Sequence, residues 1–220
     1  MAPNPLLTRE KLIAAAEQLF AERSIDGVSL RQINAAAGQR NSTALQYHFG
    51  TRGGLIRAVL DKHRDAIEAR RHLLLDGCEA QPEPDLRLMA GALVRPVAAE
   101  LADPDGGRAY LRIMAQLVNR PVVPEHTPSM TDPDDSLYRW RHLIATMLPD
   151  IAVTRLHVRF AAVRLTYVEL ARRAEEPPAR DDRLFTSHLI DLVTAVLSST
   201  PSSETLGYLE ASPRDRHADA

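Results

Sequence analysis

The residues best equipped for chemistry lie together at positions 38 to 55, GQRNSTALQYHFGTRGGL. Gln39, Arg40, Asn41, Ser42 and Thr43 are consecutive hydrogen-bonding side chains, with Gln46, Tyr47, His48, Thr51 and Arg52 close behind. Catalysis, metal binding and the reading of nucleic acid are the chemistries such a set can serve. The eight histidines include no H-x-x-x-H or H-E-x-x-H pair, so no helix face carries two imidazoles at metal-ligand spacing. A G-x-S-x-G, a P-loop and a dinucleotide fingerprint are also missing, and no cofactor, metal or catalytic residue is expected. Nucleic acid fits the donors better. Arg40 can donate two hydrogen bonds to guanine, and the amides of Gln39, Asn41 and Gln46 match adenine. Ser29, Thr43, Tyr47, Thr51 and Arg52 are the kinds of group that hold phosphates. Arg31, Ser42 and His48 complete the candidate set, although Tyr47 and His48 also suit the packing of a small domain. A solvated loop is the plain alternative for 39–43.

Base reading requires these side chains to sit on a positioned helix, and the apolar spacing supplies the elements. A helix from Thr8 to about Arg23 places Leu12, Ile13, Ala16, Leu19 and Phe20 on one face and stops at Asp26–Gly27. The next opens at Ser29, whose spacing to Gln32 is that of a capping box. It turns Leu30, Ile33 and Ala37 inward and ends at Gly38. A third spans roughly Asn41 to Tyr47, with Leu45 and Phe49 in the small core. A fourth, capped by Thr51, carries Leu55, Ile56, Val59, Leu60 and Ile67. Gly53 and Gly54 weaken its first turn by roughly 1 kcal/mol each against alanine. Two short helices joined at a glycine, the second polar, describe a helix-turn-helix. In that motif the second helix enters the major groove while the first crosses the backbone.

Residues 8–67 resemble the N-terminal domain of the TetR family of bacterial transcriptional regulators. The resemblance is carried by an apolar helix ending near Phe20, then GVSLRQINAAAG, then a polar turn leading to HF, then a capped helix with LIRAVL. It implies an all-α protein: an N-terminal three-helix helix-turn-helix domain joined by a fourth helix to a C-terminal helical ligand-binding and dimerisation domain. The corresponding division is 1–50 for DNA binding with a linking helix 51–75, 76–200 for ligand and dimer, and a disordered tail at 201–220. It further implies a non-enzymatic, ligand-responsive repressor that binds a palindromic double-stranded DNA operator as a homodimer and is released by a small-molecule effector. Two departures stand out. The stretch from Gln39 to Phe49 is one residue longer than is usual, and LQYHF puts Gln46 where a tyrosine is usual. The alternative is a helical ligand-binding or scaffold protein whose N-terminal domain has lost DNA recognition.

Beyond Leu75 prolines mark the breaks between about five helices, with Pro96 inside one of them and expected to kink it. From Asp150 to Glu176, Val153, Leu156, Phe160, Val163, Tyr167 and Leu170 keep seam spacing, as do Phe185, Leu189, Leu192 and Val196 after them. Both stretches also have apolar residues off that seam, at Leu165 and Val168 and at Leu184, Val193 and Leu197. Two helices apolar on two faces suit a symmetric four-helix dimer interface, for which Val153, Leu156, Phe160, Val163, Phe185, Leu189, Leu192 and Val196 are the candidates. Ordinary intramolecular core is the plain alternative. For a ligand cavity the inward residues are Met89, Leu93, Tyr110, Met114, Leu117, Trp140, Ile144, Phe160 and Tyr167. Arg112, His142 and Arg164 are placed to meet an anionic group.

The bulk numbers agree with this division. The net charge of −2 divides into +4 over residues 1–75 and −6 over the rest. Basic charge gathered near the candidate interface favours phosphates, while the acidic remainder resists non-specific DNA. No apolar run reaches membrane-spanning length, no secretory leader is evident, and the lone Cys78 has no internal partner. A cytoplasmic protein is expected.

Overall fold

A computed structural model describes residues 5–39, 44–83, 85–120 and 132–211. Among them every regular element is helical. The N-terminal elements are α1 (Pro5–Arg23), α2 (Leu30–Ala36), α3 (Ala44–Phe49) and the long α4 (Arg52–Glu79). Then come α5 (Leu86–Ala98), α6 (Gly107–Val118), α7 (Ser136–Ala145) and α8 (Asp150–Thr154). The last are α9 (Val158–Glu175), α10 (Arg183–Leu197) and α11 (Ser203–Ala211). No helix among the described residues is long and apolar enough to cross a membrane.

The helix ends follow local chemistry. Ser29 and Gln32 form both halves of the expected capping box, and Thr51 and Asp85 cap α4 and α5 by accepting from Gly54 and Leu88 backbone N–H groups. Gly38, at φ +67°, takes the left-handed turn that ends α2. Leu12, Ala16, Phe20, Ile33, Leu45 and Val59 close the small N-terminal core. Leu30, expected inward, is exposed. The same core continues among α5, α6 and α9, with Trp140 of α7 donating to the Met89 carbonyl at 2.8 Å.

Three expectations change. The linking helix extends to Glu79 rather than ending near Leu75. The single helix expected over 150–176 is two. His157 adopts φ +51° between them, and Leu156 instead bonds back to the Ile151 carbonyl at 3.0 Å. Val153 therefore lies on a different helix from Phe160 and Val163. The start of the expected disordered tail contains α11, helical but with no buried residue. Pro96 is accommodated inside α5, and three residues later the helix tightens into a 3-10 turn, Ala99–Ala102. Cys78 is buried, and burial, aided by the charges of Asp85 and Glu79, pushes its thiol up and away from reactivity.

Candidate nucleic-acid interface

The short helix α3 buries Leu45 against α4 and leaves Gln46 and Tyr47 outward. Tyr47 is 81% exposed, an aromatic side chain held clear of its own core. Its ring meets His48 edge-on at 5.0 Å, and the half-buried His48 in turn lies 6.0 Å from Phe49. Phe49 is itself covered by the Arg9 guanidinium at 5.5 Å. Ser29, Arg31 and Thr51 are also exposed, at the ends and outer face of the same pair of helices. Gln39 is partly turned back on α2, its amide donating to the Ala37 carbonyl at 3.3 Å. Arg40, Asn41, Ser42 and Thr43 lie outside the described residues.

Arg52 corrects the sequence reading. Expected at a phosphate, it instead donates to the backbone carbonyls of Ile25 and, at 2.7 Å, Val28, and lies over the Phe20 ring. The α1–α2 loop presents those carbonyls without helical partners, and the two N–H groups of a single guanidinium nitrogen, Nη2, reach both. Half-buried, Arg52 ties the start of α4 to the α1–α2 loop. Gly54 likewise has a packing reason, because a Cβ there would overlap the Phe49 carbonyl.

Between α1, α4 and the 99–102 turn lies a buried ionic cluster that the sequence did not announce. His63 of α4 is 3% exposed; its Nε2 meets Glu17 of α1 at 2.7 Å and its Nδ1 meets Glu100 at 2.8 Å. Burial alone lowers the imidazole pKa, but the bonds to Glu100 and Glu17 and their charges outweigh it and raise it to about 9. Lys62 bonds Glu17 and the Asp105 carbonyl, Arg70 pairs with Glu100, and Tyr110 stacks 4.8 Å from the His63 ring. His63, Glu100 and Asp103 bring three ligand atoms within 4.8 Å of one another. A second tie runs through Gln116 of α6, which accepts from Ile25 N–H at 2.8 Å and donates to the Phe20 carbonyl at 3.0 Å. Together with the ion pair of Arg120, just past α6, to Asp26, these polar links join the helix-turn-helix to the C-terminal helices.

The candidate cavity residues divide. Met89, Leu93, Tyr110, Met114, Trp140, Ile144 and Tyr167 are buried together in one core, with Leu117 half-buried at its margin, whereas the half-buried Phe160 lies instead under the Arg141 guanidinium. His142 is not among them: it is exposed and stacks on Tyr138 at 4.0 Å. Arg164 is exposed, and Arg112 is half-buried and directed at Glu175. Arg71, which the sequence reading passed over, is 2% exposed and bonds Ser136 Oγ at 2.8 Å. Its place inside could be suspected only from its register with Ile67 and Leu75 along α4.

The candidate interface residues also divide. Leu189 is buried within its own subunit, so it belongs to the core rather than to a dimer surface. Phe160, Val163, Phe185 and Val196 are half-buried, as are Val153 and Leu156 outside α9. The outward apolar side chains are Val168 of α9 with Leu184 and Leu192 of α10. Leu192 alone of these was on the expected seam.

The comparisons with known proteins agree with this architecture. The family model described as "Bacterial regulatory proteins, tetR family" matches residues 12–59, and that described as "Tetracyclin repressor-like, C-terminal domain" matches residues 91–195. Among solved structures, AmtR of Mycobacterium smegmatis is similar at 19% identity over 93% of this chain and 95% of that one, with a TM-score of 0.55. A HlyIIR mutant with residues 170–185 substituted by alanine is similar at 14% identity over 91% of this chain and 100% of that one, with a TM-score of 0.56. At such identities the likeness is one of fold. No curated protein matches the sequence at a significant level.

Proposed function

This chain belongs to the TetR family of transcriptional regulators, DNA-binding proteins that are not enzymes, and we propose that it is a cytoplasmic, ligand-responsive repressor. It binds a palindromic operator as a dimer. The observation that carries this reading is α3 itself: anchored by Leu45 and presenting Gln46 and the 81% exposed Tyr47 beside exposed Ser29, Arg31 and Thr51. Polar and aromatic side chains on a rigid two-turn helix are what base edges and phosphates require. The DNA-reading unit is residues 1–50, and 76–200 hold the effector and the partner subunit.

Dimerisation through the outer faces of α9 and α10 covers Val168, Leu184 and Leu192, and two-fold symmetry makes that patch self-complementary. The exposed Leu206 and Tyr208 of α11 extend the same apolar character past α10. An effector in the C-terminal core acts on DNA through these polar links. Movement of α6 displaces Gln116 and with it the α1–α2 loop, while movement of the 99–102 turn pulls on Glu100 and His63. Effectors coupled in this way shift DNA affinity by about 1–3 kcal/mol.

The test is binding of purified protein to duplex from its own promoter region and to scrambled duplex across a salt series. A preference of ~10³ or more that weakens steeply with salt is expected of a sequence-specific regulator. If neither that duplex nor a selection from random duplexes yields a preferred palindrome, the chain is instead a helical ligand-binding or scaffold protein.

A further inference from the structure

Resting on the reading that the C-terminal core takes an effector, we propose that this effector is an organic anion, a carboxylate-bearing small molecule gripped by the side edge of the Arg71 guanidinium. Arg71 is 2% exposed in the middle of α4, walled in by the helices of the C-terminal domain. Its Nη1 bonds Ser136 Oγ at 2.8 Å and lies 3.7 Å from Glu68 Oε1. Nε and Nη2 have no hydrogen-bond partner among the described residues. Those two nitrogens form one edge of the guanidinium, with parallel N–H bonds spaced to meet the two oxygens of a carboxylate. A buried donor left unmade is destabilising, and here two lie side by side on one charged group.

The surroundings suit a small acid. Tyr110 and Tyr167 are buried and bonded to each other. Burial pushes both phenols up, Tyr110 well above the ordinary tyrosine range and aided by Tyr167, while the Arg71 charge opposes the rise at both. The two phenols are therefore neutral hydroxyls within the field of Arg71 and compatible with an anion beside them. Glu68 is already committed to the Ser136 backbone N–H at 2.6 Å, and Asp135 caps α7 through the Leu137 and Tyr138 N–H groups. Neither carboxylate takes the free edge. Arg71 also stands two turns along α4 from His63, so an anion bound there acts on the helix that carries the link to α1.

The experiment compares thermal melts of wild type, Arg71→Met and Arg71→Lys. The probes are butyrate, hexanoate, octanoate, benzoate and phenylacetate, each beside its primary amide. At least one acid should stabilise wild type with a Kd at least tenfold below that of its amide. Arg71→Met should lose that response, and Arg71→Lys, which keeps the charge without the fork, should retain only a weakened one. Without ligand, Arg71→Met should melt at or above the wild-type temperature, since it removes a buried charge with unmade bonds. A clear fall in that temperature would make Arg71 a structural member and overturn the inference. Acids and amides acting alike on all three proteins would also overturn it while leaving an effector site in place. Silence from every acid sinks it too, and promoter binding measured on the same samples then judges the regulator reading separately.

Discussion

Nε2 of His63 stands 2.7 Å from Oε1 of Glu17, joining the long helix α4 to the middle of α1 in an environment nearly closed to water. On its other side the same ring meets Glu100, so one imidazole touches both the DNA-binding and the C-terminal parts of the chain. Buried carboxylates are costly unless paired, and here each has a cation: Lys62 at Glu17, Arg70 at Glu100 and the imidazolium between them. These paired charges seat α1, α4 and the 99–102 turn against one another.

Stability should therefore fall with rising pH. The His63 pKa is raised in the folded state from 6.5 to about 9, so its contribution is fully present below pH 6.5 and is lost as pH rises through 9. The magnitude is on the order of 3 kcal/mol. Urea unfolding at several pH values measures it, and His63→Gln should show a smaller slope over the same window. Equal slopes in the two proteins would remove the imidazolium as the cause.

Arg52→Ala should cost stability rather than phosphate contacts. Two hydrogen bonds from a charged donor to the Ile25 and Val28 carbonyls disappear together with the stacking on Phe20. A loss of about 2–4 kcal/mol is expected. The salt dependence of DNA binding, measured below the melting transition, should match wild type. A shallower salt slope would show that Arg52 does reach a phosphate.

Tyr47→Ala should behave in the opposite way. The side chain is 81% exposed, so melting should shift little, while operator affinity drops by about 1–3 kcal/mol. Unchanged DNA affinity would mean that α3 does not face the duplex through this residue.

Gly106→Ala should destabilise by about 1–3 kcal/mol. The residue has φ +89°, and a Cβ would overlap the Glu17 carboxylate, which cannot swing away without leaving His63 and Lys62. Calorimetry decides this, and a melting temperature equal to wild type would mean that the cluster is looser than its distances.

Leu184→Glu with Leu192→Glu should convert a dimer to monomer in sedimentation. Both are exposed on α10, so the change should leave the monomer fold intact. An unaltered sedimentation coefficient would place the dimer contact elsewhere.

By itself the sequence determined the helical class, the capping of α2 by Ser29 and Gln32, the left-handed stop at Gly38 and the start of α4 after Thr51. These are settled within a few residues, by side-chain bonds to free helix ends and by glycine's access to positive φ, and so they are written locally. Apolar spacing also located most of the core, but it continued through His157, because residues on both sides of that break are drawn into the same interior and spacing registers burial, not chain continuity. Only the tertiary structure decided what the charged residues do. Arg52, Arg71, Glu17 and His63 look like surface charge in a linear reading, and each has a partner in the fold that is distant along the chain: Val28, Ser136 and, for Glu17 and His63, one another. A charge is tolerated inside only where the fold brings such partners to it, and that meeting is a property of packed helices rather than of any short stretch of residues.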